Sequence, residues 1–479
     1  MELRNRRWTE EELFEMRKEV LAQWPTGKEV DLDEAIEYHK QLPPNKVAPH
    51  VQGEAAQEGK SLLIPQIGRA TFEETRDFIK YVEAQTGSLG GWLVYSDPYT
   101  RKNRFGEAQK GIERSVKEGI SMMSGYPLVN YGVKYARQLV ENSISPLRQN
   151  SADEDPRLQQ EIGLAGGFTS HASVSLQDLI AHCKDYPLAL RIINAQYGDR
   201  LAAYYTERGA PVLAVCATNL TGWDMPAFKV VVDVLQAMLA ATQGCKHIEL
   251  SIGLGQNLVQ DVAASRTLRK LGREYTSRLG YKNISFNTGG FPYLGDWPRD
   301  LDRATAMICW NTIIGILGEV NSIRLKCIDE AHATPTKEGM ARAAVVAYQL
   351  IRIMGTQRLP ESPELKLEQE MTEKEVRATV DKVMELGDGD VAIGMVKAVE
   401  HGILDTIFSP WRHLKGNILL VRDYNGAIRY LDYGNLPLPA EVVKYHKEKI
   451  AQREKAEGVK ADLEMIIKEI TYCSTPLFK

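Results

Sequence analysis

From Ser61 onward the chain alternates short apolar runs with amphipathic helical stretches of ordinary length, a pattern that calls for a parallel sheet wrapped in helices. The runs are Leu62–Gln66, Trp92–Asp97, Ile120–Ser124, Ile144–Asn150, Phe168–Ser170, Val212–Cys216, His247–Ile252, Ile284–Thr288 and Ile323–Cys327. They spread over about 265 residues, close to the ~250 typical of an eight-stranded (β/α)8 TIM barrel, so one of them is false or additional. Phe168–Ser170, short and preceded by Gly166-Gly167, is the weakest. A doubly wound open sheet is the competitor, but its glycine fingerprint is missing: Gly253-Leu254-Gly255 follows a strand without the third glycine and reads as a turn.

Around this α/β core the sequence predicts three regions: an N-terminal helical arm over 1–57, the barrel over 58–359, and C-terminal helices with a β-hairpin over 360–479. In the arm, Thr9 and Glu12 form a capping box, and a second helix starts at Asp31 with Glu34 in the box position. Thr26-Gly27-Lys28 lacks the upstream glycine of a phosphate-binding loop and reads as a turn. Near the C-terminus, Thr372 with Glu375 is expected to cap a helix ended by Gly387, and Ile418–Tyr424 and Ala427–Tyr433 flank the hairpin signal Asn425-Gly426. A charged helix is expected from Ala440 to about Lys460.

The net charge of −4 has its signs interspersed, which leaves no electrostatic footprint for nucleic acid or an anionic membrane. The most apolar stretch, Ala304 to Gly318, is too short to span a bilayer and is interrupted by Asn311. The six cysteines contain no C-x-x-C pair, which argues against a zinc site or disulfide framework and for a reducing, cytoplasmic setting. His171 and His182 lie eleven apart with Cys183 adjacent, but no third ligand has suitable spacing, so no metal site is expected.

In a barrel the carboxyl ends of the strands converge on one mouth. Those ends carry Gln66, Asp97 with Arg101, Ser124, Asn150, Ser170 with His171, Thr218-Asn219, Ile252, Asn287, and Lys326 with Glu330. Polar residues often end strands simply to meet solvent, yet together these describe a mixed-charge pocket. Asn321 to Gly339 is the most telling segment: Ile323, Leu325 and Cys327 alternate up to a polar turn with Lys326 and Glu330, and Pro335-Thr336-Lys337-Glu338 opens a helix. An ion pair tidying the rim is the plain reading of Lys326 and Glu330. The functional one is a clamp in which ammonium and carboxylate hold a vicinal diol such as a ribose. Arg101 stands in a cluster with Lys102 and Arg104; the latter two read as solvated charge, whereas Arg101, nearest the strand end, is suited to a carboxylate in the mouth.

The segments DPYTRKNR at 97–104, SGYPLVNYG at 124–132, LTG at 220–222, GVKADLEM near the C-terminus and K-x-x-x-E at 326–330 followed by PTKE at 335–338 resemble the large (epsilon) subunit of glutamate mutase, or methylaspartate mutase. The similarity extends from WTEEE and QWPTGKEVDL to GDVAIGMVKAVE and VRDYNGAIRYLDYGN, almost the whole chain. The resemblance implies a TIM barrel whose mouth packs against a separate small subunit carrying adenosylcobalamin, as a dimer of large subunits within a heterotetramer. It also implies an isomerase in which cobalt–carbon homolysis gives a radical that takes a substrate hydrogen before a carbon fragment migrates. By this likeness Lys326 and Glu330 hold the adenosyl ribose, Ser124, Leu294 and Gly295 join them at the cofactor, and Arg101 binds a substrate carboxylate. The Asp-x-His-x-x-Gly signature of the cobalamin-binding subunit is absent: His50 and His413 have Gly53 and Gly416 three residues on, but Ala48 and Trp411 stand where the aspartate belongs. The cobalt is therefore expected on a partner chain.

Glutamate mutase grips its dicarboxylate with three arginines, of which only Arg101 matches; the other two positions align with Gln66 and Asn150. The family's ammonium-binding glutamate aligns with Ala172, and two site tyrosines with Asp178 and His182. Charge-assisted bonds contribute roughly 1.5–3 kcal/mol each, so two missing arginines weaken a dicarboxylate by several powers of ten. Arg148, two residues before Asn150 on the same strand face, and Arg69, just past Gln66, are the candidates to replace them. Without them the expected substrate has one carboxylate, held by Arg101, and a less anionic remainder, with Asp178 placed to receive its amine or a second cationic group. A non-catalytic paralogue that only binds the cobalamin subunit is the reading from another class.

Overall fold

In the computed structural model, which describes residues 2–150, 152–219, 223–332 and 334–475, eight parallel strands form the predicted barrel. They are β1 (Leu62–Ile67), β2 (Trp92–Val94), β3 (Leu147–Gln149), β4 (Ser170–Ala172), β5 (Leu213–Thr218), β6 (His247–Gly253), β7 (Ser285–Phe291) and β8 (Ser322–Leu325). The ladder runs β3-β2-β1-β8-β7-β6-β5-β4. At the seam between β3 and β4, Thr169 N donates to Leu147 O at 3.1 Å, and Leu213 N donates to Thr169 O at 3.0 Å. Strand β5 is buried along its whole length, as expected where side chains fill the barrel on one face and meet helices on the other.

The surplus strand is not the one the sequence singled out. Phe168–Ser170 overlaps the start of β4, which lies two residues later, while Ile120–Ser124 forms no strand. Ile120 is 60% exposed, and the backbone that follows is held by loops: Gly125 N donates to Gly68 O and Tyr126 N to Tyr95 O. A side chain at Gly68 would start 2.6 Å from the Cα of Gly125, so this glycine pair is what lets the 121–127 segment lie directly on the ends of β1 and β2.

The N-terminal helices follow their caps. Helix Glu10–Ala22 has the full Thr9/Glu12 box, and Asp31 accepts from Glu34 N at the start of Leu32–Gln41. Thr26-Gly27-Lys28 lies in a short 3-10 turn over Pro25–Glu29. The apolar stretch from Ala304 falls within helix Leu301–Leu317, and helix Lys337–Met354 begins at the Thr336 cap. No helix among the described residues is long and apolar enough to cross a membrane.

At the C-terminal end Thr372 is not a cap. One helix runs Pro363–Leu386, capped by Ser362 and begun by Pro363 at its first position, so Thr372 sits mid-helix and donates to Glu368 O at 2.8 Å. The hairpin forms as expected from β9 (Ile418–Arg422) and β10 (Ile428–Tyr433), with Gly426 at φ 83° in its turn. Arg429 on β10 fastens it to that helix through paired 2.8 Å bonds to Glu368, and Tyr445 adds a 2.6 Å bond from helix Ala440–Glu457.

Candidate active site at the barrel mouth

A cavity opens at the carboxyl ends of the strands. Five of the residues singled out from sequence line it: Asn150, Ala172, Asp178, His182 and Asn219. Asn150 follows β3, its amide donating to Val94 O at 3.0 Å; Ala172 ends β4; Asp178 and His182 project from the short helix Leu176–His182. Apolar wall is supplied by Leu93, Val215 and Phe291. Asp178 is buried and accepts from Arg191 Nη2 at 2.8 Å. His182 is open to solvent on one side; the surrounding protein, reinforced by the Arg101 charge, lowers its pKa, with Asp178 acting in the opposite sense.

Arg101, Lys326, Glu330, Gln66, Ser124, Leu294 and Gly295 are not in that lining. They lie in the same end of the barrel, in or beyond β1, β2, β7 and β8. Arg101, half-buried, is anchored through Nε to Ser96 O at 3.1 Å, and its charge is felt by His182, Asp153 and Tyr95. Burial pushes the Asp153 carboxyl up to about 7 against a 2.6 Å bond from Ser96 and the pull of Arg101. Tyr95 ties the two halves of the rim together. Its hydroxyl lies 3.4 Å from Ser124 Oγ, and burial raises its pKa, as does Glu330.

Lys326 extends from the end of β8 and is 8% exposed, with Nζ 4.7 Å from the centre of the Trp297 ring. Burial lowers its pKa, opposed by the charge of Glu330. Yet no ion pair within 4.0 Å joins the two among the described residues, and Lys326 donates no hydrogen bond there. The rim-tidying pair does not exist. A lysine buried except at its tip and a half-buried carboxylate stand near one another with bonding capacity in hand, which suits a hydroxylated ligand. Leu294 and Gly295 belong to the same loop after β7 as Trp297. Leu220-Thr221-Gly222 lies outside the described residues.

The two replacement arginines do not enter the cavity lining. Arg148 does point into the barrel, as its two-residue spacing from Asn150 requires, but it is fully buried on Glu249 at 2.8 Å. The guanidinium of Arg69 lies over the Phe78 ring at 5.3 Å. Asp97 is taken up by its own turn, accepting from the amides of Tyr99 and Thr100 at 2.9 and 3.1 Å. His171 faces away from the mouth, with Nε2 3.2 Å from Asp199 Oδ1. His171, Asp199 and Cys245 bring one potential metal-ligand atom each within 4.8 Å of one another, a buried trio from three distant parts of the chain that spacing along the sequence does not reveal.

Arg324 was missed. It lines the cavity from β8, two residues before Lys326 and on the same strand face. The signal was present: if Ile323, Leu325 and Cys327 face the helices, Arg324 and Lys326 must face the barrel axis.

Comparison with known proteins agrees with this architecture. Residues 42–477 match the family model of the methylaspartate mutase E chain. The chain is 38% identical to a glutamate mutase epsilon subunit from Desulfitobacterium hafniense over 471 residues, covering 98% of this chain and 97% of that one. Corresponding subunits from Treponema denticola and Yersinia enterocolitica are 34% and 35% identical, covering 98% and 99% of this chain and 97% and 98% of theirs.

Proposed function

Because the chain belongs to the methylaspartate mutase E chain family, we propose that it is the large, substrate-binding subunit of an adenosylcobalamin-dependent carbon-skeleton mutase acting on an amino acid or related carboxylic acid. It is an isomerase of the mutase type. The observation that carries the fuller reading is that Lys326 and Glu330, at the carboxyl end of β8, form no ion pair among the described residues. The Lys326 side chain is buried except at its tip, and a ribose cis-diol answers both groups at once, accepting from Lys326 and donating to Glu330.

The cobalamin, held mainly by a small partner subunit with an Asp-x-His-x-x-Gly motif, supplies the radical when bound. This chain supplies position and dryness. Lys326 and Glu330 orient the nucleoside, with Ser124, Leu294 and Gly295 around it. Arg101 anchors a substrate carboxylate at the rim, and Gln66, Asn150, Ala172, Asp178 and His182 shape specificity below it. Val215, Phe291 and Leu93 keep water from a reactive carbon centre. The working assembly is a heterotetramer built on a dimer of large subunits, in the cytoplasm.

Mixing the purified chain with such a small subunit and adenosylcobalamin, and screening acids by electron paramagnetic resonance, tests this. A substrate-dependent radical is expected, lost in Lys326→Met. No radical with any acid would instead favour a non-catalytic scaffold.

A further inference from the structure

At the barrel axis, below the mouth, Glu249 on β6, Arg148 on β3 and Arg324 on β8 meet with their side chains wholly removed from solvent. Glu249 Oε2 accepts from Arg148 Nη2 at 2.8 Å and from Ser322 Oγ at 3.0 Å, and Gln52 Nε2 also donates to it. The other oxygen, Oε1, accepts from Arg324 Nη2. Burial pushes the Glu249 carboxyl up, but the two guanidiniums outweigh it and hold it down at about 2, so it is ionised at neutral pH. Two cations against one anion leave one positive charge in excess at the barrel axis.

That excess has an address. Nε and Nη1 of both arginines lack a hydrogen-bond partner, so each keeps donor capacity that the protein does not use. Only Arg324 lines the cavity, and its guanidinium carbon lies 5.2 Å from the centre of the Phe291 ring, itself part of the cavity wall. Burial, with Arg148 adding to it, pushes the Arg324 pKa down to about 9 despite Glu249, the mark of a cation short of counter-charge. Buried guanidinium donors left unmet are costly, and a carboxylate meets them with charge-assisted bonds.

We propose that Arg324 is a specificity-determining residue that receives a carboxylate of the substrate at the floor of the cavity, its guanidinium turning toward the ligand, because the donors that Glu249 leaves over have no accessible surface where they lie. This rests on the mutase reading above and narrows it. The substrate carries two carboxylates, one on Arg101 at the rim and one on Arg324 below, a different arrangement from the arginine positions occupied here by Gln66 and Asn150.

Binding of short dicarboxylic acids, with and without an α-amino group, and of their monoamides is measured by calorimetry on the full-length chain without cobalamin. The wild type is expected to prefer its best diacid over the matching monoamide by about 10- to 100-fold, the size of one charged hydrogen bond. Arg324→Gln is expected to bring the two within about twofold, and Arg324→Lys to keep part of the preference. Arg324→Gln leaves the Glu249–Arg148 pair closed, and circular dichroism checks that it folds; should it not, Arg324→Lys and the wild-type preference still decide. Undiminished diacid preference in a folded Arg324→Gln, a wild-type preference for the monoamide, or no binding of any diacid overturns the proposal. Radical formation with a monocarboxylate that Arg324→Gln supports equally would overturn it while leaving the mutase reading intact. Diacid preference lost in the variant with no radical in the wild type would do the reverse.

Discussion

Lys326 Nζ rests 4.7 Å from the centre of the Trp297 ring rather than in an ion pair with Glu330, four residues further along. The aromatic face holds the ammonium without neutralising it. Under the proposed nucleoside clamp, Trp297 is a positioning residue. A ring–cation contact of this kind contributes roughly 0.5–2 kcal/mol, so Trp297→Leu, which frees Lys326 to collapse onto Glu330, is expected to raise the half-saturating coenzyme concentration about 3- to 30-fold. Coenzyme titration of the assembled enzyme measures this, and an unchanged value would mean that the ring has no such role.

Glu249 carries the opposite duty, holding two buried guanidiniums together. Glu249→Gln leaves them facing one another uncompensated at the barrel axis, and a cost of about 3–5 kcal/mol is expected in urea unfolding. Adding Arg148→Met to that variant should recover part of the loss. A Glu249→Gln protein as stable as the wild type would show that the cluster is not strained by removing its anion.

His39 gives stability a pH dependence of known sign. Its Nε2 lies 2.6 Å from Leu164 O in a fully buried setting, and burial lowers its pKa to about 4 from an unfolded value near 6.5. Between those values the unfolded chain binds the proton and the folded one does not. Stability from this group is therefore complete above pH 6.5 and falls as pH drops toward 4, by roughly 3 kcal/mol in all. His39→Gln, which can still donate to Leu164 O, should remove this loss between pH 7 and 5, read as the difference between variant and wild-type midpoints, because the raised Asp153 carboxyl titrates in the same window with the opposite sign in both proteins.

The reassigned cap can be checked directly. Ser362 accepts from Leu365 N at 3.1 Å, so Ser362→Ala is expected to cost about 1 kcal/mol and to speed amide exchange over the first turn of Pro363–Leu386. Thr372→Ala, in the middle of the helix, should change stability by less than about 0.5 kcal/mol, since it removes only a bond to a carbonyl already in the ladder. The reverse order of effects would place the helix start at Thr372 after all.

Much was legible in the chain because it is local. Period-two runs broken by helices specify parallel strands, Asn425-Gly426 specifies a hairpin, and Thr9, Asp31 and Thr336 announce the helices they cap. Where local signals competed, reading failed: an apolar run at Ile120–Ser124 has a strand's composition, but its neighbours on β1 and β2 offer it loop ends instead of a ladder. Thr372 with Glu375 has a cap's spelling, overridden because Ser362-Pro363 starts the helix earlier and the turn never breaks.

The sequence by itself determined which face of β8 carries charge, since alternation sends Ile323 and Leu325 one way and Arg324 and Lys326 the other. Only closure of the barrel decided what those charges meet. Arg148, Glu249 and Arg324 are separated by about a hundred and by seventy-five residues, and their balance of two cations to one anion arises only when β3, β6 and β8 surround one axis. Pairing at such range depends on the shear and tilt of the whole sheet, which no stretch of a few residues encodes.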